Sequence, residues 1–178
     1  MKINVPIILS TIFVFSFFIA PINAQISQGG MRAKINKLVN KLKKEDQVHF
    51  GYPVGYGGES ETKNKYYKLY LKLKSKATNE ELTLLTKNNF KPIVIYSFSI
   101  LHSREYEDLK NIFIEHLNDT SFYWTAGGCT GFVQRVNWFM LRQLNPIIQD
   151  NSKAYLTNEE HLAYCAMFEK QDKLFSCH

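Results

Sequence analysis

The chain has 178 residues, of which 45% are hydrophobic and 21% are charged, and its formal net charge at pH 7 is +6. This composition excludes an intrinsically disordered chain and is typical of one globular domain with its own hydrophobic core. The three cysteines are few and odd in number, so a disulfide-rich scaffold is excluded as well.

The first 24 residues have the three-part pattern of a secretory signal peptide. Lys2 gives a positive start, an apolar run extends from Val5 to Ala20, and Pro21 ends it shortly before the small residue Ala24. We therefore expect cleavage near Ala24–Gln25, a secreted or periplasmic location, and no transmembrane span afterwards. A retained membrane anchor is the alternative, although the run is shorter than the roughly 20 apolar residues that a spanning helix needs.

Residues 25–64 are predicted to form a basic amphipathic helix and a loop rich in glycine and tyrosine, ahead of a helical-repeat domain at 65–178. The helix is expected over 31–44, where apolar side chains recur at helical spacing. Residues 51–58 contain four glycines and a proline. That segment is predicted to be either a linker or an ordered loop that packs through its tyrosines.

Charge is distributed unevenly along the chain. Residues 25–76 carry twelve Lys/Arg and four Asp/Glu, a net charge of +8, whereas residues 77–178 carry nine and twelve, a net charge of −3. The basic half predicts contact with an anionic surface, although it could equally pair with the acidic half or stay solvated. Because the chain is expected to be exported, no specific nucleic-acid partner is expected. The lysines expected on this surface are Lys34, Lys37, Lys41, Lys44, Lys68 and Lys72.

The rest of the chain is predicted to be a succession of short helices. Thr78 and Glu81 have the spacing of a capping box, and Pro92 stands at the start of a nearly apolar helix that we expect at the buried centre of the domain. Residues 93–98 suit a buried strand by composition, but Pro92 and the capped helix before it favour a helix. No segment alternates over enough residues to predict a sheet, so the expected fold class is all-α. The six helices are expected to begin near residues 65, 78, 92, 106, 132 and 157.

Four short blocks of sequence follow one another in an order and at a spacing that match a known pattern. They are Ala77–Leu82, Pro92 with Tyr96–Phe98 and Leu101, His116–Thr120, and Gly128–Cys129. Over about residues 55–144 these blocks resemble a family of uncharacterised secreted bacterial proteins with HEAT-like helical repeats. The resemblance implies an α-α superhelix and carries no catalytic residues.

The chain departs from that family in two places. Val94 stands where family members often have an arginine, and the sequence past about residue 145 is short and matches poorly. Few repeats are therefore expected, and a short array must cap its own ends. The predicted architecture is thus a HEAT-like short superhelix or a compact, bundle-like body.

The expected binding site lies around a glycine-rich turn. Phe122, Tyr123 and Trp124 precede Gly128, and Trp138 is expected on the following helix. Aromatic side chains beside a loop favour contact with a partner or a sugar, while packing in the core is the alternative.

Two further groups of residues have side chains that could carry chemistry. His116 and Asp119 stand one helical turn apart and could share a metal or act as an acid–base pair, but their spacing supplies no third ligand, so neither a metal nor a cofactor is predicted. The alternative is that both residues organise a helix end. Cys129 is predicted to be structural, and one disulfide is expected among Cys129, Cys165 and Cys177.

The sequence therefore predicts an exported helical-repeat protein that binds another protein or a cell-envelope component without catalysis. Two alternatives stay open. One is a small secreted metal-assisted enzyme that uses His116 and Asp119. The other is an anionic-surface binder that acts through the basic N-terminal half.

Overall fold

The computed structural model describes residues 30–54, 59–60, 63–127, 130–147 and 153–172. The expected signal peptide, residues 1–24, lies outside this part of the chain. Within the described part there are seven helices and five short strands. The helices are α1 (Ala33–Leu42), α2 (Lys65–Lys76), α3 (Asn79–Thr86), α4 (Lys91–Ser103), α5 (Leu109–Glu115), α6 (Val136–Gln143) and α7 (Asn158–Gln171), and the strands are β1 (Gln47–Val48), β2 (Pro53–Val54), β3 (Glu59–Ser60), β4 (Phe122–Gly127) and β5 (Thr130–Arg135).

The fold is a mixture of helices and sheet, so the prediction of an all-α fold is wrong. Strands β4 and β5 form an antiparallel hairpin, and β1 pairs in parallel with β4 to give the order β1-β4-β5. Strands β2 and β3 pair separately as a short antiparallel ribbon. The described helices do not build a repeat superhelix, so the HEAT-like and bundle-like architectures are corrected together with the fold class.

The error arose at the hairpin, because both of its faces are rich in apolar and aromatic side chains. A half-buried strand is recognised in a sequence by alternating hydrophobicity, and residues 122–125 show none. The sequence therefore predicts a helix over 132–144, but Phe132 and Val133 lie in β5 and the helix begins at Val136. Aromatic and β-branched residues nevertheless favour a pleated strand, which is the conformation that they adopt here.

Helix α4 is the buried centre of the domain, as predicted. Its residues Ile93, Val94, Ile95 and Phe98 are fully buried. It packs against α3 on one side and α6 on another, and it also contacts β1 and β4. A helix that is apolar all round needs neighbours on every side, and this position supplies them.

The N-terminal segment is fastened to the body through a buried carboxylate. The Arg32 guanidinium donates to both oxygens of Glu81, at 2.8 and 2.5 Å, and the Arg32 backbone N–H donates to the same group at 3.0 Å. The capping box predicted at Thr78 is confirmed, because the Thr78 N–H donates to Glu81 and the Glu81 N–H donates back to the Thr78 hydroxyl. One carboxylate thus joins the start of α1 to the start of α3.

In the part of the chain that the structure describes, no helix combines the length and the apolar character needed to cross a membrane.

Candidate functional site

The β4–β5 hairpin presents two faces of different character. Side chains alternate along a strand, and residues directly opposite each other in an antiparallel pair point to the same side. The register therefore assigns each residue of the hairpin to one face. The outer face consists of Phe122, Trp124, Val133 and Arg135, and the inner face consists of Tyr123, Thr125, Phe132 and Gln134.

The outer face is an exposed aromatic surface held by a cation. Phe122 is 58% exposed and Trp124 is 53% exposed. The Arg135 guanidinium lies 5.2 Å from the ring of Phe122 and 5.0 Å from the ring of Trp138, and it forms an ion pair of 2.5 Å with Asp172. Arg135 therefore links the ring of Phe122 to Trp138 of α6 and to the end of α7, while Asp172 balances its charge.

The same hairpin has an open strand edge. The Val136 N–H donates to the Ser121 carbonyl at 3.0 Å, which makes Ser121 and Val136 a hydrogen-bonded position of the ladder. Bonded and non-bonded pairs alternate in an antiparallel ladder, which turns the backbone groups of Gly131 and Val133 away from β4. Strand β5 is the last strand of its sheet, and no other strand among the described residues pairs with it.

The residues predicted as a binding site come together, but they do not share one surface. Phe122 and Trp124 lie on the outer face beside Trp138, which is partly buried. Tyr123 points to the other side and is buried. Gly128 lies outside the described residues, as does Cys129 in the same turn.

On its inner side the hairpin closes a cavity of about 330 Å³. The walls come from β4 and β5, from α4 and α6, and from the segment between β1 and β2. Its aromatic rings pack against one another, with Phe50 stacked on Phe139 at 6.0 Å and Tyr123 at an edge-on 5.8 Å from the same ring. The lining residues are Phe50, Tyr52, Ser99, Tyr123, Thr125, Phe132, Gln134, Phe139, Arg142 and Gln143.

This cavity was not predicted from the sequence, although one of its wall segments carries a local signal. Gly51 has φ +83°, a conformation that favours glycine, and a side chain there would collide with the ring of Tyr67. This turn lets Phe50 and Tyr52 line the same cavity. The remaining walls meet only through tertiary packing, so no sequence spacing joins Phe50 to Arg142.

Polar groups in the cavity are arranged around Tyr123. Its hydroxyl donates to the side-chain oxygen Oε1 of Gln134 at 2.7 Å, and the Thr125 hydroxyl donates to the backbone carbonyl of Val48 at 3.3 Å. Burial raises the pKa of Tyr123 well above its ordinary value, against a smaller lowering by the charge of Arg142, so the phenol stays protonated. Among the described residues that line the cavity, Arg142 alone has a charged side chain.

The predicted pair of His116 and Asp119 does meet, as part of a loop-organising cluster. The Asp119 carboxylate lies 3.2 Å from His116 Nδ1 and accepts from Lys91 Nζ at 3.0 Å. It also accepts from the Ser121 N–H at 3.2 Å and from the Ser121 hydroxyl. Burial would raise the pKa of Asp119, but the hydrogen bonds from Ser121, Lys91 and His116 lower it overall.

This geometry favours the structural interpretation of the pair. The Ser121 hydroxyl bonds to Asp119 and not to His116, so the histidine does not activate a nucleophile here. The described residues contain no group of three His, Cys, Asp or Glu side chains placed to hold a metal ion. Asp119 instead ties the start of α4 and the end of α5 to the start of β4.

The predicted disulfide can be followed at one of the three cysteines, because the other two lie outside the described residues. Cys165, in the middle of α7, is disulfide-bonded, and its Sγ lies 3.7 Å from His161 Nδ1. Cys129 and Cys177 are not among the described residues, so the pairing stays a prediction. A disulfide sulfur is not a thiolate, and Cys165 therefore supplies no nucleophile.

The lysines predicted to form a basic surface are exposed on two neighbouring helices. Helix α1 packs against α2, and neither helix contains an acidic residue. Among the described residues, none of these lysines forms an ion pair with an acidic side chain. The exposed lysines are Lys34, Lys37 and Lys41 of α1, Lys44 just after it, and Lys68 and Lys72 of α2.

Comparison of the chain with protein-family models, with curated proteins and with solved structures found no match.

Proposed function

We propose that this protein is an exported binding module, without catalysis, that holds an extended segment of another protein along the β4–β5 hairpin. The observation that carries the proposal is the coincidence of an open strand edge and an exposed aromatic face on one hairpin. An unpaired strand edge is normally covered, shortened or charged, because it recruits other chains. Here the edge at Gly131 and Val133 carries no charged side chain, and Arg135, the charged residue at the end of β5, is paired with Asp172.

The two features fit an extended peptide better than a glycan. A peptide strand can match the outward backbone groups of Gly131 and Val133 with its own, and every second side chain then lies over the outer face. Trp124 and Phe122 offer large, exposed apolar area to those side chains, and the nearby Arg135 is held in place by its ion pair. Tryptophan and arginine are the residues that most often dominate the binding energy of an interface.

A photo-crosslinking experiment tests this function. We would replace Phe122 with the photoreactive residue p-benzoyl-phenylalanine in the full chain, irradiate producing cells, and look for adducts in the envelope and the medium. We expect one predominant protein adduct, lost in the Trp124→Ala variant. The matched control carries the crosslinker at Leu162, an exposed apolar residue of α7 that is 64% exposed. Equal adducts from both positions, or none from Phe122, would contradict the proposal.

The lysines of α1 and α2 support a second candidate function, which is attachment to an anionic surface. Eight lysines in two packed helices without a single acid give a strong local field. Anionic lipid headgroups would be attracted by about 1 kcal/mol for each lysine near the surface. This candidate is compatible with the first, since it uses different helices.

Sedimentation with lipid vesicles tests the second candidate. The mature protein should bind vesicles that contain anionic lipid, and binding should weaken steeply as salt is added. The variant with Lys37, Lys41, Lys68 and Lys72 changed to glutamine should lose this binding. Equal binding to neutral vesicles, or binding that is insensitive to salt, would remove the candidate.

A further inference from the structure

We propose that the cavity on the inner side of the hairpin is a binding site for a small carboxylate with a flat apolar body. Its lining is independent of the outer face, because the side chains of the two faces point in opposite directions. The inference therefore goes beyond the proposed protein-binding function and does not depend on it.

The apolar part of the ligand is set by the aromatic walls. Phe50, Tyr52, Phe132 and Phe139 supply four rings, and the volume of about 330 Å³ lies at the small end of ordinary ligand sites. Phe50 and Phe139 stack on each other with their ring planes at an angle of 6°, so the protein itself holds these two rings in a fixed orientation beside the cavity. One ring or two fused rings would fit such a space and gain by stacking.

The polar part expected of the ligand follows from the hydrogen-bond donors that line the cavity. The Tyr123 hydroxyl donates to the side-chain oxygen Oε1 of Gln134, so the side-chain nitrogen Nε2 of Gln134 remains a donor for a ligand. The Thr125 hydroxyl donates to Val48 and is therefore not a free donor to a ligand. Arg142 adds a guanidinium with five N–H groups, which suits a carboxylate best.

The charge of Arg142 is not balanced by the protein that the structure describes. No ion pair joins it to an acidic side chain there, and the described residues that line the cavity include no carboxylate. The other three arginines differ in this respect: Arg32 and Arg135 each form an ion pair, and Arg104 donates to Asn79 and to backbone carbonyls. Arg142 is thus the arginine placed to meet the charge of a ligand.

Titration calorimetry with three probes tests the site on the mature protein. The probes are 2-naphthoate, its neutral amide 2-naphthamide, and acetate, which lacks the ring. We expect naphthoate to bind at least about tenfold more tightly than either of the others, since it alone supplies both the ring and the charge. Equal affinity for naphthoate and naphthamide, or no binding of naphthoate at millimolar concentration, would overturn the proposal.

Variants then locate the binding within the cavity. Arg142→Gln should weaken naphthoate about tenfold and leave naphthamide unchanged, whereas Phe132→Ala should weaken both. Both residues are exposed enough for the fold to tolerate the change. The matched control is Lys170→Gln, which removes a positive charge at an exposed position of α7 and should leave every affinity unchanged. An unaltered naphthoate affinity in folded Arg142→Gln would also overturn the assignment.

Discussion

At the scale of single residues, the buried Glu81 carboxylate determines how the N-terminal segment is held. It receives Arg32 and the Thr78 N–H together, so its charge is compensated by hydrogen bonds from two directions. Burial would raise the pKa of Glu81, but the Arg32 side chain and the backbone N–H groups outweigh this and lower it from 4.5 to about 2. A lowered pKa means that the folded state favours the charged form.

The stability of the protein should therefore depend on pH through Glu81. The contribution of this group is fully present above the unfolded pKa of 4.5 and is lost as the pH falls toward the folded value of about 2. Glu81→Gln should lower the free energy of unfolding by about 2 kcal/mol at pH 7, and by much less at pH 3. Urea unfolding at the two pH values measures both.

The control is Glu115→Gln, which removes a carboxylate whose ion pair with Lys87 is more than half exposed on both sides. This change should affect stability little. A Glu81→Gln effect that is the same at both pH values would contradict this account.

At the scale of elements, the sequence predicts helices well wherever their ends carry local signals. Thr78 with Glu81, and Thr157 with Glu160, have the spacing of a capping box, and Pro92 suits a first helical turn; α3, α7 and α4 begin within one or two residues of these signals. The structure adds a cap at Asn64, before α2, that was not predicted. The hairpin carries no such signal, because aromatic residues cover both of its faces. The parallel pairing of Gln47 with Trp124 could not be predicted either, since the two residues are joined only by the tertiary fold.

The segment between β1 and β2 gives an element-scale prediction about the cavity. Gly51→Ala forces a side chain into positive φ and against the ring of Tyr67, so it should destabilise the protein by about 2 kcal/mol. It should also weaken naphthoate binding, because Phe50 and Tyr52 are moved. Thermal unfolding and calorimetry measure the two effects.

The matched control is Gly131→Ala. An added Cβ at Gly131 would meet only the Thr125 carbonyl, at 3.9 Å, so this variant should leave stability nearly unchanged. Equal stability of the two variants would refute the argument.

At the scale of the whole molecule, three surfaces are carried by different elements of one mixed fold. The lysines lie on α1 and α2, the outer face lies on the hairpin, and the cavity lies behind the hairpin. Strand β1 joins the N-terminal segment to β4, while Arg135 joins the hairpin to the end of α7. The aromatic cluster could be predicted from the sequence. Which of its side chains point outward and which point inward follows only from the register of β4 and β5.

If an extended protein segment pairs with the open edge of β5, as we propose, one substitution at Val133 should prevent the pairing. The Val133 N–H points away from β4, so proline should remove an edge donor without breaking the ladder inside the hairpin. The measurement is the yield of the adduct from p-benzoyl-phenylalanine at position 122, compared between Val133→Pro and Val133→Thr, with thermal unfolding as a check that both are folded. We expect the adduct to disappear in Val133→Pro and to persist in Val133→Thr. An undiminished adduct in folded Val133→Pro would contradict the proposal.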